Sequence, residues 1–265
     1  MGLKPDFATV RADIRDGIGL YRIWTREGWR DVKRRYRRTV LGPIWNTLSL
    51  AALAFAMTYI WAPLMNMDMS NFLPWVLTGV VCWTFLTTMI NNAGYLYTSA
   101  ESILKQMHYP LMALSLTAIW RELIIFGHNL IVVIVVIIAF HVPVNANTLL
   151  LIPGLILVAL NALWFIPLLA LISTRFRDVP PLVSSLLTVL YFVTPVFWRP
   201  EQLAGRAFLY DVNYLHHLLD VIRSPMVGEA PQLISYAIVI ASFFAGSLLT
   251  FVAFAYLRRR VTYWI

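Results

Sequence analysis

The sequence predicts an all-α integral membrane protein with six transmembrane helices, and three observations carry this prediction. The 265-residue chain is 60% hydrophobic and 13% charged, with a mean hydropathy of +0.71, whereas a soluble domain is about half apolar and a quarter charged. It contains six apolar runs without Lys, Arg, Asp or Glu, each near the ~20 residues that a spanning helix needs. These runs are unbroken, unlike barrel strands, which alternate apolar and polar residues over about ten positions.

The apolar runs divide the chain into three parts. They cover residues 44–61, 72–90, 123–140, 149–174, 182–198 and 233–257. We therefore expect a cytoplasmic segment at 1–43 that holds an amphipathic helix and a gate, a six-helix transmembrane domain at 44–257, and a cytoplasmic tail at 258–265. Because no run contains a charge, every charged residue is expected in a tail or a loop.

The basic residues set the predicted orientation. Eleven Lys and Arg precede the first run, and seven more lie in the second loop, the fourth loop and the C-terminal tail. The opposite side has three, which are Arg199, Arg206 and Arg223 of the fifth loop. Since Lys and Arg are retained in the cytoplasm, both termini are predicted to be cytoplasmic. This concentration at membrane borders also argues against nucleic acid as the reason for the net charge of +8.

The segment before the first run has the pattern of one amphipathic helix. Its apolar residues recur at roughly helical spacing: Val10, Ile14, Ile18, Tyr21, Trp24, Trp29, Val32 and Tyr36. Basic residues lie between them, and this pattern is typical of a helix lying in the cytoplasmic membrane interface. The alternative is a helix that packs on a soluble partner.

The fifth loop, 199–232, is moderately apolar for a segment in water. Leu215, Leu218, Leu219 and Ile222 mark one helical face, and Pro225 with Gly228 is expected to end that helix. We predict short re-entrant helices before the last span, protected from lipid by protein. An ordinary surface hairpin is the alternative.

Catalytic motifs are absent from the sequence. It has no GxxxxGK[ST] phosphate loop, HExxH, GxSxG or CxxC, and its one cysteine, Cys82, lies inside an apolar run. His216 and His217 are adjacent, so a helix would point them about 100° apart. Met65, Met67 and Met69 offer soft ligands for Cu(I), but methionine at a membrane surface is usually apolar filler. No metal site is predicted.

Aromatic residues are dense, with ten Trp and twelve Tyr. An aromatic belt at the membrane edges explains many of them, including Trp45, Trp61, Trp75, Trp198 and Trp264. Aromatic rings can also stack on the C–H faces of sugars, so some could line a channel. The candidates for this role are Tyr59, Trp83, Tyr191, Phe192 and Phe197.

Several short motifs resemble one transporter family. They are YRRTVLGPIW before the first span, SAESILKQMHYP after the second, RFRDVPPLV before the fifth and TPVFW at its end, together with Asn213 and Tyr214 ahead of Arg223. In order and spacing they are similar to the polysaccharide-exporting ABC-2 permeases. The O-antigen exporters are the most similar branch, and capsule and teichoic acid exporters are close relatives.

This resemblance implies a homodimer that works with two ABC ATPase subunits. The permease would move a lipid-linked polysaccharide, typically linked to undecaprenyl diphosphate, across the bacterial inner membrane, while ATP and Mg²⁺ bind to the ATPase and no cofactor binds to this chain. The implied ATPase-coupling residues are Glu101, Lys105, Gln106, Met107, His108, Tyr109 and Pro110. The implied gate near the lipid head group comprises Tyr36, Arg37, Arg38, Leu41, Gly42, Pro43 and Trp45.

The arginines before the first span have two interpretations. A guanidinium group matches phosphate oxygens in a bidentate fashion, so Arg37 or Arg38 could hold the diphosphate. Alternatively, both contact only anionic membrane lipid. A different class of function, an enzyme acting on polyprenol lipids, would need a general-base or metal-binding carboxylate, for which Asp178 and Glu122 are the isolated candidates.

Overall fold

A computed structural model describes residues 5–37, 42, 44–203 and 208–265. These residues form α-helices and 3₁₀-helices, and no strand occurs among them. The α-helices, in chain order, are α1 Phe7–Gly19, α2 Tyr21–Tyr36, α3 Ile44–Leu64, α4 Met69–Gly94, α5 Leu96–Ser99, α6 Glu101–Gln106, α7 Leu111–Ala139, α8 Leu151–Arg175, α9 Val179–Val193, α10 Phe208–Asp211, α11 Tyr214–Met226, α12 Leu233–Leu257 and α13 Val261–Trp264. The prediction of an all-helical protein is confirmed.

Among the described residues, five helical segments are long and apolar enough to cross a membrane. They are Ile44–Leu64, Met69–Gly94, Leu111–Ala139, Ala146–Arg175 and Leu233–Trp264. The fifth predicted span corresponds to α9, an apolar helix of 15 residues. At 1.5 Å per residue it is about 22 Å long, which is shorter than a hydrocarbon core of about 30 Å.

Two predicted spans differ from the helices of the structure by five residues or more at one end. Helix α7 begins at Leu111, directly after Pro110, instead of at 123, so Arg121 and Glu122 lie inside a helix. The prediction that every charge lies in a tail or loop is therefore wrong, because an apolar run shows where a membrane can be crossed and not where a helix begins. Helix α9 ends at Val193 instead of 198, since Thr194 precedes Pro195 and residues before proline avoid helical backbone angles.

The N-terminal segment forms two helices instead of one. Helices α1 and α2 meet at Leu20, which follows Gly19 and has φ −79° and ψ 27°. Val10 and Val32 are buried, whereas Ile18, Tyr21 and Trp29 are exposed. In each of the two helices, the predicted apolar residues are divided between a protein-facing side and an outward-facing side.

The buried apolar residues form two clusters. The larger one joins α3, α4, α7, α8, α9, α11 and α12. The smaller one lies where α1, α5, α6 and α13 meet the ends of α7, α8 and α12. We call the pair α1 and α2 the arm. It packs along the first turns of α7, at the end of the molecule that carries the segment between α4 and α7.

The fifth loop contains the helix that its sequence predicts. Helix α11 has the four predicted apolar residues buried, Pro225 lies in its last turn, and Gly228 follows with φ +79°. Arg223 is buried, with its guanidinium carbon 3.3 Å from the Trp75 ring centre, and it donates to the Pro195 carbonyl. Protein therefore surrounds α11, as predicted for a helix that re-enters the membrane.

Candidate functional site

The segment between α4 and α7 presents a small apolar surface. Leu104 of α6 is buried in the smaller cluster, whereas Ile103 and Met107 are 43% and 58% exposed. Leu104 therefore anchors the helix, and Ile103 and Met107 point outward. Because removal of large apolar side chains from water is favourable, this surface suits a protein partner.

Polar contacts hold this segment in shape. Lys105 Nζ donates to Glu101 Oε1 over 2.7 Å, and this hydrogen bond lowers the pKa of the Glu101 carboxyl. Tyr109 is half-buried, and its burial raises the pKa of its hydroxyl. Gln106 and His108 are exposed, while Pro110 is buried at the start of α7. The predicted coupling residues thus form one short segment, α6 plus an extended stretch.

Helix α2 carries a basic surface that the sequence analysis did not single out. Arg30, Lys33, Arg34 and Arg37 line a shallow hollow of about 620 Å³ together with Glu27. Glu27 lies 2.8 Å from Arg30 Nη1 and 3.7 Å from Arg34 Nη2. Positions 27, 30, 34 and 37 follow the helical spacing i, i+3, i+7, i+10, and this signal could have revealed the surface. Arg37, at the end of this face, forms no ion pair with any described residue.

The predicted gate is described in part. Gly42 has φ +56°, the left-handed region that glycine adopts without a steric penalty, and its carbonyl accepts a hydrogen bond from Trp45 N at 3.4 Å. Trp45 is exposed at the start of α3, and Tyr36 is partly buried in the last turn of α2. Arg38, Leu41 and Pro43 lie outside the described residues. The chain therefore turns at Gly42 immediately before α3 begins.

A chain of polar contacts links the arm to α7 and α4. Arg121 Nη1 is 3.5 Å from Asp31 Oδ2 of α2, and its Nε is 3.0 Å from Glu122 Oε1. Glu122 is buried and also accepts from Asn92 Nδ2 of α4 at 2.8 Å. Through its contact with Asn92, Glu122 joins α7 to α4. Asp178, the other candidate carboxylate, precedes α9.

Four of the five candidate channel aromatics form one cluster. Tyr191 lies 5.7 Å from Trp83 and 5.6 Å from Phe197, ring centre to ring centre, and Phe192 is 5.5 Å from Tyr191. Trp61 of α3 joins them at 5.7 Å from Phe197, although the sequence analysis assigned it only to a membrane-edge belt.

Tyr59 lies apart from this cluster. It is exposed on α3 and stacks on Phe55, with 6.3 Å between the ring centres. An open hollow of about 580 Å³ lies beside the cluster and is lined by Met65, Phe192, Phe197, Trp198 and Gln202. Trp83 and Phe197 are themselves buried, so Phe192 is the more exposed of the two cluster members that line this hollow.

The remaining metal candidates have other surroundings. Gln202 Nε2 lies 3.4 Å and 3.3 Å from the sulfur atoms of Met65 and Met67. His217 contacts the Ser235 hydroxyl and the Asp211 carbonyl through its two ring nitrogens. Among the described residues no three His, Cys, Asp or Glu side chains are grouped so that they could hold a metal ion.

Comparison with known families defines the class of protein. The model of the ABC-2 type transporter family matches residues 26–227, from the arm through α11. The chain therefore belongs to the ABC-2 type transporter family and is a multi-pass membrane component of a transport system. The resemblance drawn from the short motifs is confirmed at this level.

Three relatives of the chain share one name, O-antigen export system permease protein RfbA. The chain is 26% identical over 196 residues to the O-antigen export system permease protein RfbA of Myxococcus xanthus, covering 72% of this chain and 74% of the relative. It is 22% identical over 241 residues to a protein of the same name from Klebsiella pneumoniae, covering 85% and 87%. A second Klebsiella pneumoniae protein of that name is 21% identical over 238 residues.

Proposed function

We propose that this chain is the membrane subunit of an ABC exporter that moves a lipid-linked polysaccharide, of the O-antigen class, from the cytoplasmic to the outer side of the bacterial inner membrane. The similarity to O-antigen export permeases over most of both chains carries the proposal. In this proposal both termini are cytoplasmic, the substrate is linked to undecaprenyl diphosphate, and a separate ATPase subunit binds ATP and Mg²⁺.

The segment from Glu101 to Pro110 is proposed to dock on the ATPase. Its support is the pair of exposed apolar side chains, Ile103 and Met107, on a short helix that Leu104 fixes to the body of the protein. A partner cleft that covers these two residues would remove them from water. The segment continues directly into α7 through Pro110, so force applied to it reaches a long helix.

Two acidic substitutions test this docking site. Ile103→Asp with Met107→Asp should reduce co-purification of the ATPase and abolish export, because a charge buried in an interface without a partner is strongly unfavourable. Tyr263→Asp is the matched control, since Tyr263 is 86% exposed in the tail beyond α12. Surface polysaccharide, permease level and bound ATPase are measured together. Full export and normal ATPase binding by the double variant would contradict the docking assignment.

The lipid diphosphate is proposed to bind at the end of α2, at Arg37 and the adjacent Arg38. Arg37 continues the basic surface of α2 and forms no ion pair with a described residue, so its charge is available to a ligand. Gly42, with its left-handed backbone, follows five positions later in the sequence. A forked guanidinium group binds phosphate oxygens in a geometry that a lysine ammonium cannot reproduce.

The test keeps the positive charge at both positions and replaces the guanidinium group with an ammonium group. Arg37→Lys with Arg38→Lys should lower export while insertion and ATPase binding persist, and Arg15→Lys, at an exposed position of α1, is the control. If the double Lys variant exports at the parent level while the double Ala variant does not, the two arginines act only as an electrostatic anchor to lipid.

A second copy of the chain is proposed to cover the outward faces of α3 and α9. Leu182, Leu186 and Val189 form an exposed stripe on α9, and the aromatic cluster lies where α9 meets α3 through Tyr191 and Met57. Two copies that meet here would place both aromatic clusters beside a shared path. A cysteine at Val189, in a Cys82→Ala background, should cross-link between copies, whereas one at Leu248 of α12 should not. The reverse result would place the partner on α12.

The related alternatives are a capsule or teichoic acid exporter and, more distantly, an enzyme that modifies polyprenol lipids. Export of a different polymer would leave each of these experiments unchanged except for the polysaccharide detected. An enzyme would need Glu122 or Asp178 for chemistry and no ATPase. Glu122 already accepts two hydrogen bonds inside the helix bundle, which favours the transport function.

A further inference from the structure

Asp13 of α1 is a buried carboxylate that joins three distant parts of the chain. Its Oδ1 accepts a hydrogen bond from Leu111 N at 3.1 Å, and its Oδ2 accepts one from Met112 N at 3.0 Å. Arg258, at the end of α12, donates to Oδ1 through Nε at 2.9 Å and through Nη2 at 2.5 Å. The Asp13 side chain is 3% exposed and that of Arg258 is 13% exposed.

The position of these contacts relates Asp13 to the proposed docking segment. The first backbone N–H groups of a helix have no partner within the helix and are normally bound by the side chain of the preceding residue. In α7 that residue is Pro110, whose side chain makes no such bond. Asp13 supplies the missing acceptor from 98 residues away, at the point where the docking segment ends and α7 begins.

The arm also packs closely against α7 at residues other than Asp13. A Cβ atom at Gly17 would lie 2.8 Å from Met112 Cβ, and one at Gly28 would lie 2.9 Å from Trp120 Cδ1 and 3.2 Å from the Thr117 carbonyl. The rings of Trp24 and Trp120 are in edge contact, 6.5 Å apart. These close approaches leave little room for α1 and α2 to slide along α7, because packed interiors have few voids.

We propose that Asp13 is a positioning residue for energy coupling: it fastens the arm to the start of α7 and the end of α12, so that movement of the docking segment carries the end of α2 with it. This inference rests on the proposed function, which places the ATPase at one end of this unit and the lipid head group at the other. Asp13 itself contacts neither the ATPase nor the substrate.

The first test removes the charge of Asp13 and keeps its shape. Asp13→Asn should lower export about tenfold, the scale of a change in coupling between sites, while permease level, ATPase co-purification and ATP hydrolysis persist. Asp16→Asn is the matched control, because Asp16 lies on the same helix and its contact is an exposed one with Arg15. Export at the parent level by Asp13→Asn would overturn the proposal. Should the single variant fail to accumulate, Asp13→Asn with Arg258→Gln keeps hydrogen-bonding groups without a lone buried charge, and it is judged by the same measurements.

The second test measures the joint directly in the permease–ATPase complex. Cysteines at Trp24 and Trp120, in a Cys82→Ala background, are linked with a short bismaleimide in the nucleotide-free and vanadate-trapped states. Linking should be equally efficient in both states and should leave export at the level of the unlinked double-cysteine variant. Asp13→Asn should make linking depend on the nucleotide state. A link that forms in one state only, or that stops export, would show that the arm slides on α7 and would overturn the proposal.

These outcomes are separable from failure of the docking assignment. If Ile103→Asp with Met107→Asp leaves ATPase binding intact, the docking assignment fails whatever Asp13 does. If that variant loses the ATPase while Asp13→Asn retains both the ATPase and full export, the docking site stands and the role of Asp13 is refuted.

Discussion

Helix α9 and helix α11, which lies in the fifth loop, show opposite relations between composition and burial. Helix α9 is almost wholly apolar, yet only Pro180 and Leu187 are buried among its 15 residues. Helix α11 contains two histidines, an aspartate and an arginine, yet every residue from Leu215 to Met226 is buried. In water the apolar helix would be the inner one.

The difference shows that in a bilayer, unlike in water, apolar residues need not be buried inside the protein. Lipid accepts apolar side chains as readily as a protein core does, so α9 gains little from being surrounded by protein. Polar groups shielded from water need partners within the protein, and two charged residues of α11 have them: Asp220 accepts from Ser224 Oγ and Gln232 N, and Arg223 contacts Trp75 and the Pro195 carbonyl. Composition therefore predicts which helices meet lipid, and polarity predicts which ones need covering.

The largest expected effect comes from the same substitution made in both helices. Leu219→Ala in α11, where Leu219 is 1% exposed, should lower the free energy of unfolding by about 2–5 kcal/mol because it leaves a cavity. Leu186→Ala in α9, at a residue that is 53% exposed within one copy, should lower it much less in the dissociated permease. Thermal and denaturant unfolding of the single-copy permease in detergent measures both. Equal losses would mean that α9 is as tightly covered as α11 within one copy.

A smaller effect is expected where α8 approaches α11. Adding a Cβ at Gly154 would place it 2.0 Å from the Val221 carbonyl oxygen, a backbone atom, so Gly154→Ala should cost about 1–3 kcal/mol through overpacking. Gly127→Ala in α7 is the control, because no atom lies within 4 Å of the added Cβ and alanine favours helix. The melting temperatures of the two variants should move in opposite directions. No loss with Gly154→Ala would indicate that α11 can shift away from α8.

The smallest effect concerns the start of α11. Asn213 Oδ1 accepts from Leu215 N at 3.0 Å, and Nδ2 donates to Thr194 Oγ1 at 2.7 Å, which ties α11 to the end of α9. Asn213→Ala should cost about 1 kcal/mol, the usual value of a lost N-terminal cap. Asn71→Ala, at an exposed position near the start of α4, should be close to neutral. The measurement is the difference in unfolding midpoint between Asn213→Ala and Asn71→Ala. A cost above that of Leu219→Ala would mean that Asn213 does more than cap the helix.

Much of the architecture follows from the sequence alone. The absence of charge from long apolar runs identifies a helical membrane protein, and the last run, 233–257, coincides with α12. The i, i+3, i+4 pattern of leucines identifies α11, and the short motifs lead to the ABC-2 family, which the comparison confirms. These properties depend on composition, local periodicity and nearby residues, and therefore they can be read along the chain.

The tertiary structure alone decided which residues meet. Asp13 and Leu111 are 98 positions apart and share no motif, yet the carboxylate of one binds the backbone of the other. Arg223 of α11 and Trp75 of α4 are in contact, and Leu104 turns inward while its neighbour Ile103 turns outward. Such pairings depend on how helices pack side by side, and periodicity within one helix carries no information about which neighbour lies against which face. The sequence determined that this chain crosses a membrane as helices, and packing determined how its arm, docking segment and last span are joined.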